Sequence, residues 1–221
     1  KKRVVMVTLN NDFGKSLAAG FKEQAKNFGV SVLAEYDYSI KDREFGPIIS
    51  KIKADKPDAI YASGYFFTAG PMVSQMRAAG LNQPIVGQEG YDSQKFIEIA
   101  GKASEGVMIT TSLDRDSSSP ETKDFINGFA KKAGYPADMV AASGHTALLV
   151  VADALKRAGS NDASALRDAI SKTNLSASTG KISFNALGEV QKDVQVQVVK
   201  GGNWHHHSVI SDAVLLAPPS K

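Results

Sequence analysis

The chain has 221 residues, 43% hydrophobic and 22% charged, a composition that can bury a real core as one large domain or two small ones. Net charge is +3 and is spread along the chain, with the densest basic runs at Lys1-Lys2-Arg3 and Lys131-Lys132. That is too little for a nucleic-acid footprint. With no cysteine, disulfides and thiolate chemistry are excluded, while an oxidising compartment stays open. No stretch reads as the 18 to 20 apolar residues of a membrane span, and the N-terminus shows no signal-peptide pattern; a processed or cut chain would look the same.

Residues 3–8 are an apolar, β-rich run. Leu17, Phe21, Ala25 and Phe28 then recur at helical spacing, with Gly29 as the stop. Residues 30–36 read as a second strand, and Phe45, Ile48, Ile49 and Ile52 mark a helix ending near Lys56-Pro57. Residues 59–62 form a short buried strand, followed by a helix expected to begin at Pro71 and to carry Met72, Val73 and Met76. A strand at 84–86, a helix at 94–99 and a strand at 107–110 complete five strand–helix alternations. Such alternation predicts a parallel sheet covered on both faces. After Thr111 the rhythm changes. Three helices are expected at 121–132, 138–157 and 163–173, then strands at 181–184, 194–199 and 204–210, the last two joined by Gly201-Gly202.

In an open doubly wound sheet, ligands bind beyond the carboxyl ends of the strands. Loops 9–14, 37–44, 62–69 and 87–93 meet that condition. They gather Asn10, Asn11, Asp12, Phe13, Tyr65, Phe66, Phe67, Gln88, Glu89, Tyr91 and Asp92. Aromatic walls with a few placed polar groups suit a small-molecule pocket, although polar residues are also the default content of a loop.

The run Asn11-Asp12-Phe13-Gly14-Lys15-Ser16-Leu17, placed just after the first strand, resembles the turn that opens the second lobe of leucine/isoleucine/valine-binding proteins. These are type I periplasmic solute-binding proteins of ABC transporters. Lys56-Pro57-Asp58-Ala59-Ile60-Tyr61, Gly64-Tyr65, Met76-Arg77-Ala78-Ala79-Gly80-Leu81, Val86-Gly87-Gln88-Glu89-Gly90 and Ala103-Ser104-Glu105-Gly106-Val107 resemble successive stretches of that lobe, in order and in register. A weaker likeness continues through 141–159 and 180–204.

The resemblance implies an α/β fold: a doubly wound parallel sheet in flavodoxin-like order, a helical return segment and a C-terminal β-hairpin. It divides the chain into a second ligand-binding lobe (1–113), the return segment of a first lobe (114–178) and a C-terminal β segment with the hinge crossover (179–221). It implies a non-enzymatic, exported periplasmic protein that captures a small solute, an amino acid by preference, between two lobes and delivers it to a membrane ABC permease. No cofactor, metal or nucleic acid is expected. Most of the first lobe has no counterpart here, so the chain reads as a portion of such a protein, and its precursor would carry the signal peptide. Phe13 and Tyr65 fall where the family places aromatic walls, and Glu89 where it places the acceptor for an ammonium group. Asn11 and Gln88 from the same loops, and His145 on the helix at 138–157, complete the candidate ligand set. Two alternatives stay open: the effector domain of a receptor or regulator on the same fold, and an aromatic carboxylate or amide as solute.

Other signals fail on spacing. Gly14-Lys15-Ser16 lacks the glycine that a phosphate loop needs five residues earlier, where Leu9 stands. In a strand, only His205 and His207 of the His205-His206-His207 run would share a face, too few for a metal site. There is no G-x-S-x-G elbow.

Overall fold

The computed structural model describes residues 1–216 and divides into two compact units. Residues 217–221, the end of the expected 179–221 segment, lie outside the described residues. Unit 1 comprises Lys1–Thr110 and Val198–Trp204, and unit 2 comprises the remainder.

Unit 1 runs β1 (Arg3–Leu9), α1 (Asp12–Asn27), β2 (Ser31–Tyr38), α2 (Gly46–Asp55), β3 (Ala59–Ala62), α3 (Phe66–Ala78), β4 (Ile85–Gly87), a 3-10 turn (Glu89–Tyr91), α4 (Gln94–Ala100) and β5 (Met108–Thr111). Neighbouring pairs from β2 to β5 are parallel, in the order β2-β1-β3-β4-β5 expected of a flavodoxin-like sheet. Alternation along β1 explains the two-sided cover. Val5, Val7 and Leu9 enter the large core beneath α2, α3 and α4, whereas Val4 and Met6 enter the smaller one against Ala18 and Phe21 of α1. On β2, at the sheet edge, exposed and half-buried residues alternate instead.

Three features differ from the sequence reading. Helix α3 begins at Phe66, capped by Tyr65, and carries Pro71 in its interior. The Pro71 rule for helix starts is overridden here by burial of Ala69, Gly70, Met72 and Val73. The C-terminal hairpin, β9 (Val194–Lys200) and β10 (Asn203–Ile210), does not stand apart: it extends the sheet to seven strands, in the order β10-β9-β5-β4-β3-β1-β2. Val199 and Trp204 lie in the large core. The segment Asn174–Ala177, whose polar–apolar alternation spans only four residues, is also a strand.

Unit 2 holds α5 (Pro120–Ala133), α6 (Met139–Ala158), α7 (Ala163–Ser171) and a small sheet, β6 (Asn174–Ala177), β7 (Gly180–Phe184) and β8 (Val190–Gln191). That sheet is antiparallel throughout. Asp138 caps α6 by accepting from the Ala141 N–H at 2.9 Å. By length and composition alone α6 could cross a membrane, but Ala142, Thr146, Val150 and Ala154 are buried within the unit. The opposite face leaves Val140 and Leu148 67% and 72% exposed.

Candidate functional site

The carboxyl ends of four adjacent strands of unit 1, in the order β4-β3-β1-β2, carry the loops singled out from the sequence. Each loop is held by side chains that reach into its neighbour. Asn11 Oδ1 accepts from the Gly14 N–H at 2.8 Å and starts α1, which puts Phe13 in the first helical turn. At the end of β2, the buried Tyr38 hydroxyl donates to the Ser63 carbonyl at 2.8 Å and lies 3.1 Å from Thr68 Oγ1. Burial pushes its phenol up to about 12, so it stays a neutral donor. Ser63 Oγ accepts from the Leu9 N–H at 3.0 Å, tying the loop after β3 to the end of β1.

Phe13 and Tyr65 stack, with ring centroids 5.2 Å apart and planes 10° from parallel. Tyr65 stacks in turn on Phe67 at 5.7 Å and 12°. Three rings from two separate crossovers thus form one half-buried aromatic surface. Beside it, Glu89 opens the 3-10 turn with its side chain exposed.

The Glu89 turn is braced onto the Tyr65 loop by Gln88, which is 2% exposed. Gln88 Nε2 donates to the Gly64 carbonyl, and Gln88 Oε1 accepts from the Gly90 N–H, both at 2.7 Å. The backbones approach so closely that a Cβ on Gly90 would collide with the Gly64 carbonyl oxygen, and one on Gly64 with the Tyr38 hydroxyl. The side-chain amide expected at the ligand is therefore engaged within the protein. Tyr91, also expected in the pocket, is buried in the core and stacked on Phe96 at 5.4 Å, because its ring lies against Gly87.

Of the six candidate residues, Phe13, Tyr65, Glu89, Asn11 and Gln88 thus lie on these adjoining loops. The sixth, His145, belongs to unit 2. It sits in the second turn of α6 with its ring stacked on Phe125 at 4.8 Å and Nδ1 3.0 Å from Ser178 Oγ. There it lines an apolar cleft with Phe125 and Phe129. A cleft of about 510 Å³ in unit 1 lies elsewhere, between α1 and α2 along edge strand β2, and holds the Lys22–Glu35 ion pair.

Sequence reasoning missed the contributions of Tyr38, Gly64 and Thr68. Tyr38 falls in loop 37–44 of the sequence reading, whereas it ends β2 in the structure, and nothing in its spacing announces that its hydroxyl crosses beneath β1 to β3. His205 and His206 pair with Asp116 and Asp114, each at 3.1 Å. Among the described residues no group of three or more His, Cys, Asp or Glu side chains is arranged to hold a metal.

With this geometry in place, comparison with known proteins is direct. Residues 1–203 match the family model described as "Periplasmic binding protein", and the chain belongs to that family. It is 26% identical over 192 residues to the leucine-, isoleucine-, valine-, threonine- and alanine-binding protein of Pseudomonas aeruginosa, a match covering 86% of this chain and 51% of that protein. Among solved structures it is similar to a leucine-binding protein from Thermotoga maritima (TM-score 0.87, 30% identity, 96% of this chain and 61% of that one). It is also similar to a branched-chain amino-acid transporter substrate-binding protein from Streptococcus pneumoniae in complex with isoleucine (TM-score 0.85, 25% identity, 94% and 60%). The chain spans about half the length of the curated relatives it matches.

Proposed function

We propose that this chain supplies part of the solute site of an ABC-transporter binding protein, and that the solute is an amino acid, branched-chain types first. The observation that carries this reading is the Phe13–Tyr65 stack at 5.2 Å, with Glu89 on the adjoining loop that Gln88 braces against Gly64. In this reading Glu89 accepts charge-assisted hydrogen bonds from the ammonium group, each on the order of 1.5–3 kcal/mol in a partly dry cleft. Phe13 and Tyr65 give shape and apolar contact, while Asn11 and Gln88 act by fixing the loops. Relatives that bind leucine and isoleucine support the solute class. The associated proposals are delivery to a membrane permease and a periplasmic location. A first lobe packed on residues 114–178 is a further one, supported by the exposed apolar face of α6.

The test is calorimetric titration with L-leucine and L-isoleucine, on the chain expressed with any coding sequence that flanks it in the gene. Glu89→Gln is expected to weaken binding at least tenfold while leaving the unfolding midpoint unchanged. Equal affinity in the variant removes Glu89 from the site. Binding of amides or aryl acids in place of amino acids favours the alternative solute class.

A further inference from the structure

The aromatic surface does not stop at Tyr65. Phe67 continues it nearly parallel, and the Arg43 guanidinium lies over the Phe67 ring, with Cζ 5.9 Å from the centroid. Arg43 comes from the loop after β2 and reaches over the start of α3, so a third loop joins the aromatic surface built by the loops after β1 and β3.

Arg43 is held in place. Its Nη1 donates to the carbonyls of Ile40 and Asp42 at 2.9 and 2.7 Å. Its own carbonyl accepts from Gln75 Nε2 at 2.7 Å, and Gln75 Oε1 accepts from the Phe45 N–H at 2.8 Å. Gln75 sits on α3, the helix that carries Phe67, so cation and ring are fixed by one element. Among the described residues neither Nε nor Nη2 has an acceptor, and the side chain is exposed. A guanidinium with one edge tied to backbone and the other edge open is suited to a planar anion.

We infer that Phe67 and Arg43 form a subsite, continuous with the Phe13–Tyr65 surface, that takes a carboxylate carried by a flat or extended solute whose ammonium group meets Glu89. This rests on the amino-acid reading above and narrows it. A branched aliphatic side chain would leave the subsite empty, whereas an aryl or long-chain side chain ending in a carboxylate would fill it. Stacking on Phe67 also lowers the mobility of the guanidinium before a ligand arrives, which reduces the ordering entropy lost on binding.

The experiment compares L-phenylalanine with 4-carboxy-L-phenylalanine by calorimetry on the same protein, alongside Arg43→Gln and Arg43→Lys. The expected result is at least tenfold tighter binding of the carboxylated ligand. Arg43→Gln should abolish that preference while changing phenylalanine affinity less than twofold, and Arg43→Lys should retain part of it. Equal affinities in the parent protein overturn the subsite and leave the amino-acid reading standing. A preference that survives Arg43→Gln also overturns it, as does equal weakening of both ligands, which marks Arg43 as a brace of its loop. If neither ligand binds at millimolar concentration while leucine does, the subsite alone fails. If no amino acid binds, both readings fail.

Discussion

Replacing Gln88 with Met separates a loop brace from a ligand contact. The side chain is 2% exposed and makes two 2.7 Å hydrogen bonds, one to the Gly64 carbonyl and one from the Gly90 N–H. Methionine fills nearly the same volume, so little is lost to a cavity. It can neither donate to Gly64 nor accept from Gly90. Two net hydrogen bonds of about 0.5–1.5 kcal/mol each, plus about 1–3 kcal/mol for a buried carbonyl left unpaired, predict a loss of about 2–6 kcal/mol. Urea unfolding followed by tryptophan fluorescence reads this directly. Trp204 is the chain's single tryptophan, is buried in unit 1, donates to the Ser93 carbonyl at 3.3 Å and stacks on Phe96 at 5.7 Å. An unfolding free energy within about 0.5 kcal/mol of the parent, the range of a neutral surface change, would refute the reasoning. Loss of solute affinity with stability intact would return Gln88 to the binding surface.

Gly90→Ala drives a methyl group into the Gly64 carbonyl. It is expected to destabilise by about 1–3 kcal/mol and to weaken solute binding, since Glu89 moves with its turn; a variant unchanged in both urea midpoint and affinity contradicts the close approach. Asp116 gives a pH-dependent case. Burial works to raise its carboxyl, but the backbone N–H of His206 at 2.8 Å and the His205 ring at 3.1 Å outweigh it and hold the group below the usual carboxylate range. Because the folded value is the lower one, its stabilisation is complete above the unfolded value of about 3.9 and disappears as pH falls through the folded value. Asp116→Asn should therefore destabilise more at pH 5 than at pH 2.5, both conditions lying below the ordinary histidine range. An equal effect at the two pH values counts against the pairing.

The parallel sheet was legible because apolar β-rich runs alternate with 3.6-residue periodicity, as in Val5, Val7 and Leu9 of β1 followed by Phe21 and Ala25 of α1. Loop position at the strand ends gathered Phe13, Tyr65 and Glu89 among other loop residues, and the family resemblance singled out these three. Helix α3 was misplaced at its start because proline propensity is a local rule, and the burial that overrides it comes from distant residues such as Ile99, which lies against Gly70. Strand Asn174–Ala177 was missed because its alternation spans only four residues, the lower limit of a readable run, and directly follows a helix.

Local pattern and turn chemistry were enough to set the five strands β1 to β5, their parallel direction and the crossovers that meet at one rim, since each depends on residues close together in the chain. Which polar side chains face a ligand and which tie loops together was decided only in three dimensions. Gln88 and Tyr38 hydrogen-bond to backbone 24 and 25 residues away, and such partners are set by strand order rather than by neighbours in sequence. Packing of the loop after β2 over α3 lines up Arg43 and Phe67 with Tyr65, a juxtaposition with no linear signature.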